Sequence, residues 1–271
     1  MKKLSELSAP ALAAVVKEKS IKGAIAEIKN SIYAGADMID LHLPCLSERD
    51  EESLRRIISS SSLPVLALHY NQTYEGEDAG FSEEDRVELL VDAVRAGAHG
   101  IDMQGYTYDI ASKSAFVGED KYSFTKGNPK EVVTDAAVIS KQCEFIERVH
   151  SMGSEVLLSC HPGIFMNCEQ VVDLALFLEE RRPDIIKIVT RADTEDELFE
   201  TMRTMPVLKR EVKTPISFHA SGEAGKLSRI VNPALGGQIA FCIERYNEAS
   251  VMEQLDLRTA RAVIDGIRKM L

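Results

Sequence analysis

The feature that most constrains the fold is a repeating unit, met eight times, of a short apolar run, a polar loop and an amphipathic stretch. The apolar runs stand at 11–16 (ALAAVV), 37–43 (DMIDLHL), 63–69 (LPVLALH), 99–103 (HGIDM), 155–160 (EVLLSC), 184–190 (DIIKIVT), 214–219 (TPISFH) and 237–242 (GQIAFC). Helical patterning fills the intervals near 20–34, 48–60, 82–96, 131–151, 167–181, 193–206, 225–235 and 256–270. Strands alternating with helices pair in parallel, because each crossover helix carries the chain back to the same end of the sheet. Three joints repeat one device: Ala34-Gly35-Ala36-Asp37, Ala96-Gly97-Ala98-His99 and Ser151-Met152-Gly153-Ser154 each set a glycine just past a helix and just before a strand. That is where a left-handed residue ends a helix, and glycine adopts it without steric cost. Eight units are the count of a (β/α)8 TIM-type barrel, expected as one α/β domain over 1–271. A doubly wound open sheet alternates in the same way, so periodicity alone leaves closure open.

One segment breaks the rhythm. Residues 104–130, QGYTYDIASKSAFVGEDKYSFTKGNPK, are polar and aromatic-containing without a clear period. They follow the fourth strand, so in a barrel they form a long loop on the catalytic face, either a binding element or a plain surface insertion.

Composition narrows the partners. The chain is 45% hydrophobic and 28% charged, the balance of a globular protein with a sizeable core. Formal net charge is −11 with no stripe of Lys and Arg, which argues against nucleic acid and anionic membrane surfaces. Five scattered cysteines without a CxxC fit a reducing compartment. With no secretory signal pattern and no apolar run of about 18 residues, a cytoplasmic protein acting on a small molecule is expected.

In a parallel barrel the catalytic face is built from the C-terminal ends of the strands. Those positions carry Asp40 and His42, His69 and Tyr70, Asp102 and Gln104, His161, Lys187 and His219. Lys187 is the most informative, standing inside the apolar run Ile185-Ile186-Lys187-Ile188-Val189. A lysine in low dielectric loses the solvation of its ammonium, which favours a neutral amine able to attack a ketone and form a Schiff base. The alternative is a snorkelling lysine, or one paired with Asp184. His161 ends its run just before Pro162-Gly163, on the strand next to that of Lys187, which suits general acid–base work. Ser217 to Arg229, SFHASGEAGKLSR, joins small residues to a helix start; it reads either as an anion cradle or as a tight turn with a solvent-facing arginine.

Taken together, these segments resemble the type I 3-dehydroquinate dehydratases, barrel enzymes of the shikimate pathway of aromatic amino acid biosynthesis. Val156-Leu-Leu-Ser-Cys-His161 resembles the family strand that ends in its catalytic histidine. Asp184-Ile-Ile-Lys187-Ile-Val resembles the strand of its Schiff-base lysine. Ala224-Gly225-Lys226-Leu227-Ser228-Arg229 resembles its T-G-x-x-S-R segment. Ala249-Ser250 and Gln254, followed by Asp256-Leu257-Arg258-Thr259, resemble its A-S-x-x-x-Q loop and D-L-R-T helix start. The resemblance implies a closed barrel and a carbon–oxygen lyase without a cofactor. It makes Lys187 and His161 catalytic, and it assigns substrate binding to Arg229, Ser250, Gln254, Asp40, His42 and Tyr70.

The N-terminal half departs from the family pattern. The family's E-W-R on strand two is Asp40-Leu41-His42, its arginine ending strand three falls on Tyr70, and its acidic residue ending strand four falls on Gln104 after Asp102-Met103. A strand-one serine falls on Val15. Two arginines are thereby lost, and with them bidentate forks for anions. The expected substrate is a carboxylate-bearing ketone, 3-dehydroquinate or another hydroxy-ketone acid, handled by a homodimer. The rival reading is a metal-dependent barrel hydrolase or isomerase with ligands from His42, His69, His161, His219 and Asp102.

Overall fold

The computed structural model describes residues 3–70, 80–109, 131–246 and 253–270. Most of the insertion expected at 104–130, and Ser250, lie outside the described residues. The chain alternates as expected: β1 (Ala11–Val16), α1 (Ile21–Tyr33), β2 (Met38–His42), α2 (Glu51–Ile58), β3 (Val65–Leu68), α3 (Glu83–Arg95), β4 (Gly100–Gln104), α4 (Ala136–Ser151), β5 (Glu155–Cys160), α5 (Cys168–Glu179), β6 (Ile185–Arg191), α6 (Glu195–Glu211), β7 (Ile216–Ser221), α7 (Ser228–Ala234) and β8 (Ile239–Ile243). A two-residue β9 (Leu255–Asp256) then leads into α8 (Leu257–Arg268). The sheet runs β7-β6-β5-β4-β3-β2-β1-β8-β9, and neighbouring strands pair in parallel wherever their register is defined. This is the α/β architecture of a (β/α)8 TIM-type barrel.

Local chemistry explains the repeat. Side chains of Ser20, Asp50, Ser82, Asn167, Thr194 and Asp256 each accept a backbone N–H in the first turn of the helix that follows, so the βα loops end in the same cap. Asn167 with Gln170 and Thr194 with Glu197 complete reciprocal capping boxes. At the other helix ends, Gly35, Gly97 and Gly153 take φ of +97°, +106° and +83°, as their place in the joints requires. Helix α4 begins at Ala136 rather than near 131, because the Asp135 side chain accepts from Ala137 and Val138 and starts the helix there. Helix α6 runs on past Pro206 to Glu211; the ring removes one donor, but the helix continues on both sides of it.

Two compact units make up the chain: residues 1–102, 149–155 and 240–271, and residues 103–148 with 156–239. In the first, β1, β2, β3 and the start of β4 pair in register, for instance Val15 with Asp40 and Asp40 with Leu66. The buried Glu155 carboxylate there accepts from the Leu4 and Ser5 amides, tying the N-terminal segment to the start of β5. In the second, β5, β6 and β7 pair in register. The start of β8 joins β7, since Gln238 N donates to Ile216 O (2.8 Å) and Ile239 N to Ser217 Oγ (2.9 Å).

Candidate active site

In the second unit Lys187 sits in the middle of β6, 6% exposed, between Ser159 of β5 and Ser217 of β7. Side chains alternate faces along a strand. His161, two residues beyond Ser159, and His219, two beyond Ser217, therefore share the face of Lys187, one step toward the C-terminal ends. The imidazole of His219 is held well below its usual range by burial first, then by the charges of Arg229, Lys187 and His161. Arg229, Lys187 and His161 thus each lie within electrostatic reach of His219. Asp184, the rival partner for Lys187, instead accepts the backbone N–H of Val156 (2.7 Å) at the opposite end of the strand pair.

His161 is oriented by Glu131. The Glu131 Oε2 accepts both the backbone N–H of His161 and its ring Nδ1–H, the latter at 3.0 Å. A carboxylate on Nδ1 selects the Nδ1–H tautomer and leaves Nε2 as the basic nitrogen. Glu131 is 3% exposed and makes its bonds through charge-assisted geometry. It is a contact residue of the candidate site that the sequence reading did not single out. The only available signal was an acidic residue at the close of the 104–130 segment, and its role depends on a contact thirty residues away in the chain.

Arg229 opens the first turn of α7 and is 9% exposed, which decides against a solvent-facing arginine. Its guanidinium donates to His219 Nε2 at 3.2 Å, so His219 is the neutral Nδ1–H tautomer. The turn is locked by Ser228, whose hydroxyl accepts from Ala220 N (2.8 Å) and donates to Gly225 O (2.6 Å). Among the described residues of this unit the site thus sets the Arg229 guanidinium and the Lys187 amine beside the Glu131 carboxylate, an arrangement with a fixed cation for an anionic ligand.

In the first unit, Asp40 and His42 share one face of β2, where His42 Nε2 donates to Asp40 Oδ2 (3.1 Å) and both side chains are buried. Register pairs Asp40 with Leu66 and His42 with Leu68, so Tyr70 follows on the same face; its ring meets that of His42 edge-on at 6.3 Å. His69 points the other way. Its ring stacks edge-on against Phe81 at 4.8 Å, its Nδ1–H donates to Tyr70 O (2.8 Å), and its own carbonyl accepts from Arg86 of α3 (2.8 Å). Burial, then the charges of Arg86 and Arg49, hold His69 down to about 4. Gln254 is 8% exposed, and among the described residues its buried amide Oε1 meets no hydrogen-bond donor, while Tyr246 donates to its backbone carbonyl (2.7 Å).

The geometry does not support the metal reading. His69 faces the helix layer, and a guanidinium already occupies His219 Nε2, where a cation would be repelled. Among the described residues no three His, Cys, Asp or Glu side chains converge to hold an ion.

Residues 131–269 match the family model described as Type I 3-dehydroquinase, a span that opens at Glu131 and contains His161, Lys187, Arg229 and Gln254. The chain is similar to the 3-dehydroquinate dehydratase of Desulfotalea psychrophila, 26% identical over 231 residues, covering 84% of this chain and 86% of that protein. It is similar also to that of Methanosarcina acetivorans, 24% identical over 265 residues and 95% of each chain. Among solved structures it is similar to the type I 3-dehydroquinate dehydratase of Clostridium difficile, with a TM-score of 0.77 at 16% identity over 98% of this chain and 95% of that one.

Proposed function

The chain belongs to the type I 3-dehydroquinase family, and from that premise we propose that it dehydrates 3-dehydroquinate to 3-dehydroshikimate through a Schiff base on Lys187. The observation that carries the reading is a buried lysine amine sharing a strand face with an imidazole whose tautomer is set by a buried carboxylate. Neutral Lys187 Nζ attacks the ketone carbon, and the carbinolamine loses water to give an iminium. The iminium withdraws electrons from the neighbouring C–H bond, and His161 Nε2 takes that proton. The enamine electrons then expel the hydroxyl one carbon further on, which leaves as water with the proton returned by His161. Hydrolysis of the conjugated iminium releases the enone product and restores Lys187, so the net change is loss of one water. Glu131 stabilises the imidazolium formed in the middle of this cycle.

Arg229 binds the substrate carboxylate, its fork aimed by the bond to His219. Gln254 offers its buried amide to a substrate hydroxyl, and Ser250 joins it on the strength of the family's A-S-x-x-x-Q pattern. By the resemblance Asp40, His42 and Tyr70 contribute to substrate binding, with His42 and Tyr70 standing where the family has arginines and Asp40 where it has glutamate; His42 is paired with buried Asp40 and packs edge-on against Tyr70. That replacement favours a second reading of the substrate, a different hydroxy-ketone acid turned over by the same lysine chemistry. Five free cysteines suit the cytoplasm, where this biosynthetic step belongs. No described helix is long and apolar enough to cross a membrane. A homodimer is in keeping with exposed Leu176 on α5, Phe199 on α6 and Leu235 just past α7.

The test is direct. Purified protein is mixed with 3-dehydroquinate and the enone followed by ultraviolet absorbance, then quenched with borohydride for peptide mapping. Turnover together with a reduced adduct on Lys187 is expected. An adduct with some other keto acid alone selects the second reading, and no adduct across the panel refutes the Schiff base.

A further inference from the structure

One buried guanidinium, that of Arg181, lies away from the reacting groups and serves no ion pair among the described residues. Arg181, 1% exposed just beyond α5, sends its bonds to neutral acceptors only: Nε to Gln142 Oε1 (2.7 Å), one terminal nitrogen to Phe177 O (2.8 Å) and the other to Val133 O (2.8 Å). It also lies over the Phe177 ring at 4.5 Å. A buried charge satisfied by carbonyls alone contributes little net stability, and the arrangement instead specifies geometry. What it specifies is where the chain leaves β4 and where it returns. Gln142, fully buried on α4, donates its Nε2 to both Gly105 O and Thr107 O (2.9 Å each), while Arg181 grips the returning chain at Val133. Two residues before Val133 stands Glu131, the carboxylate on His161. The fit is tight, since a Cβ built on Gly105 would lie 2.2 Å from Glu131 O.

We infer that Arg181 and Gln142 are positioning residues for the dehydration: through Val133 and Gly105 they seat Glu131, and Glu131 sets the tautomer and aim of His161. The inference rests on the proposed role of His161, but its physical core, a single imidazole tautomer held from two shells away, is observable without turnover. Displacement of a catalytic group by about 1 Å lowers turnover by up to about 10²-fold. Loss of Arg181 therefore acts on kcat far more than on KM, because no group that touches substrate is removed.

The experiment records the ¹⁵N spectrum of the histidine rings, with His161 assigned by its loss in His161→Gln, for wild type, Glu131→Gln, Arg181→Met, Arg181→Lys and Gln142→Met. Wild type is expected to show the Nδ1–H form of His161, whereas Arg181→Met and Gln142→Met show a mixture, as Glu131→Gln does. Arg181→Lys, which keeps a donor to Val133 O, restores part of the wild-type signal. Kinetics on 3-dehydroquinate should follow, with kcat reduced about tenfold or more and KM within about twofold. If Arg181→Met does not fold by circular dichroism, Gln142→Met, uncharged and similar in volume, carries the comparison. A wild-type His161 tautomer in Arg181→Met, or in Gln142→Met where that variant stands in for it, overturns the inference when Glu131→Gln alters the tautomer; so does an unaltered tautomer in Glu131→Gln itself. Absence of turnover and of a Lys187 adduct in wild type, with the tautomer changes intact, refutes the dehydratase reading and leaves the positioning network standing.

Discussion

Replacing His69 by asparagine should remove a defined part of the protein's acid lability while leaving catalysis untouched. The imidazole is fully buried against Phe81 and beside Arg86, and its value falls from the ordinary 6.5 to about 4. Between those two values the unfolded chain binds a proton that the folded chain does not. Stability from neutral His69 is therefore complete above about pH 6.5 and is lost as the pH falls toward 4. At about 1.4 kcal/mol per pKa unit the interval is worth about 3 kcal/mol. Asparagine retains a donor for Tyr70 O but cannot titrate; lost ring packing lowers its stability by about 2 kcal/mol at neutral pH. Urea unfolding followed by circular dichroism near pH 7.5 and pH 4 should then show wild type losing about 3 kcal/mol more than the variant over that range. His219 is depressed in the same direction, so it adds to both curves and cancels in their difference. Parallel curves for the two proteins would refute the buried neutral imidazole. A fall in kcat for His69→Asn would show that this ring does face the substrate.

Lys187→Met should keep the fold by circular dichroism, lose turnover by at least about 10³-fold and give no borohydride adduct; a trapped adduct elsewhere would reassign the nucleophile. Glu131→Gln keeps the shape of the contact and removes its charge, a loss of about 1.5–3 kcal/mol for a hydrogen bond to a charged group. Its kcat should drop about 10- to 100-fold with KM little changed, and an unaltered kcat would detach Glu131 from the mechanism. Arg229→Lys gives up the fork and the bond to His219, so KM should rise about tenfold, whereas a change in kcat alone would contradict carboxylate binding. Burial pushes the Cys160 thiol well above 9, so iodoacetamide at neutral pH should leave Cys160 unmodified in the native protein and label it after unfolding; native labelling would contradict its burial.

The alternation of strands and helices was legible because it rests on short-range chemistry: apolar runs, side-chain caps such as Ser20 and Asn167, and glycines past the helix ends. Lys187 was legible for the same reason, since one charge in an apolar run stands out locally. Facing was not. His69 and Tyr70 are adjacent at the end of one strand, and only the register of β2 with β3 decides that Tyr70 joins His42 while His69 turns toward α3. A sequence shows that two neighbours point to opposite faces; it does not show which face lies inward when both residues are polar. His219 reads as a metal ligand at its strand end until the arginine ten residues on is found bonded to it.

The carboxylate on His161 shows why a motif comparison and a physical reading diverge. By motif the acid ending strand four is missing, since Gln104 stands there, and the family's set looks incomplete. The proposed mechanism, however, requires a negative charge on Nδ1, not a residue at one place in the chain. Glu131 meets it from the far side of the long segment after β4. A carboxylate delivered from a strand is aimed by the sheet; one delivered from a loop return has no such frame and must be built one. Gly105 without a Cβ, Gln142 bridging two carbonyls and Arg181 spending a buried charge on Val133 O are that frame. The proposed chemistry is therefore compatible with a long segment between Gly105 and Glu131 only where the stretches flanking it are fixed, and in this chain Gln142 of α4 and Arg181, just beyond α5, fix them.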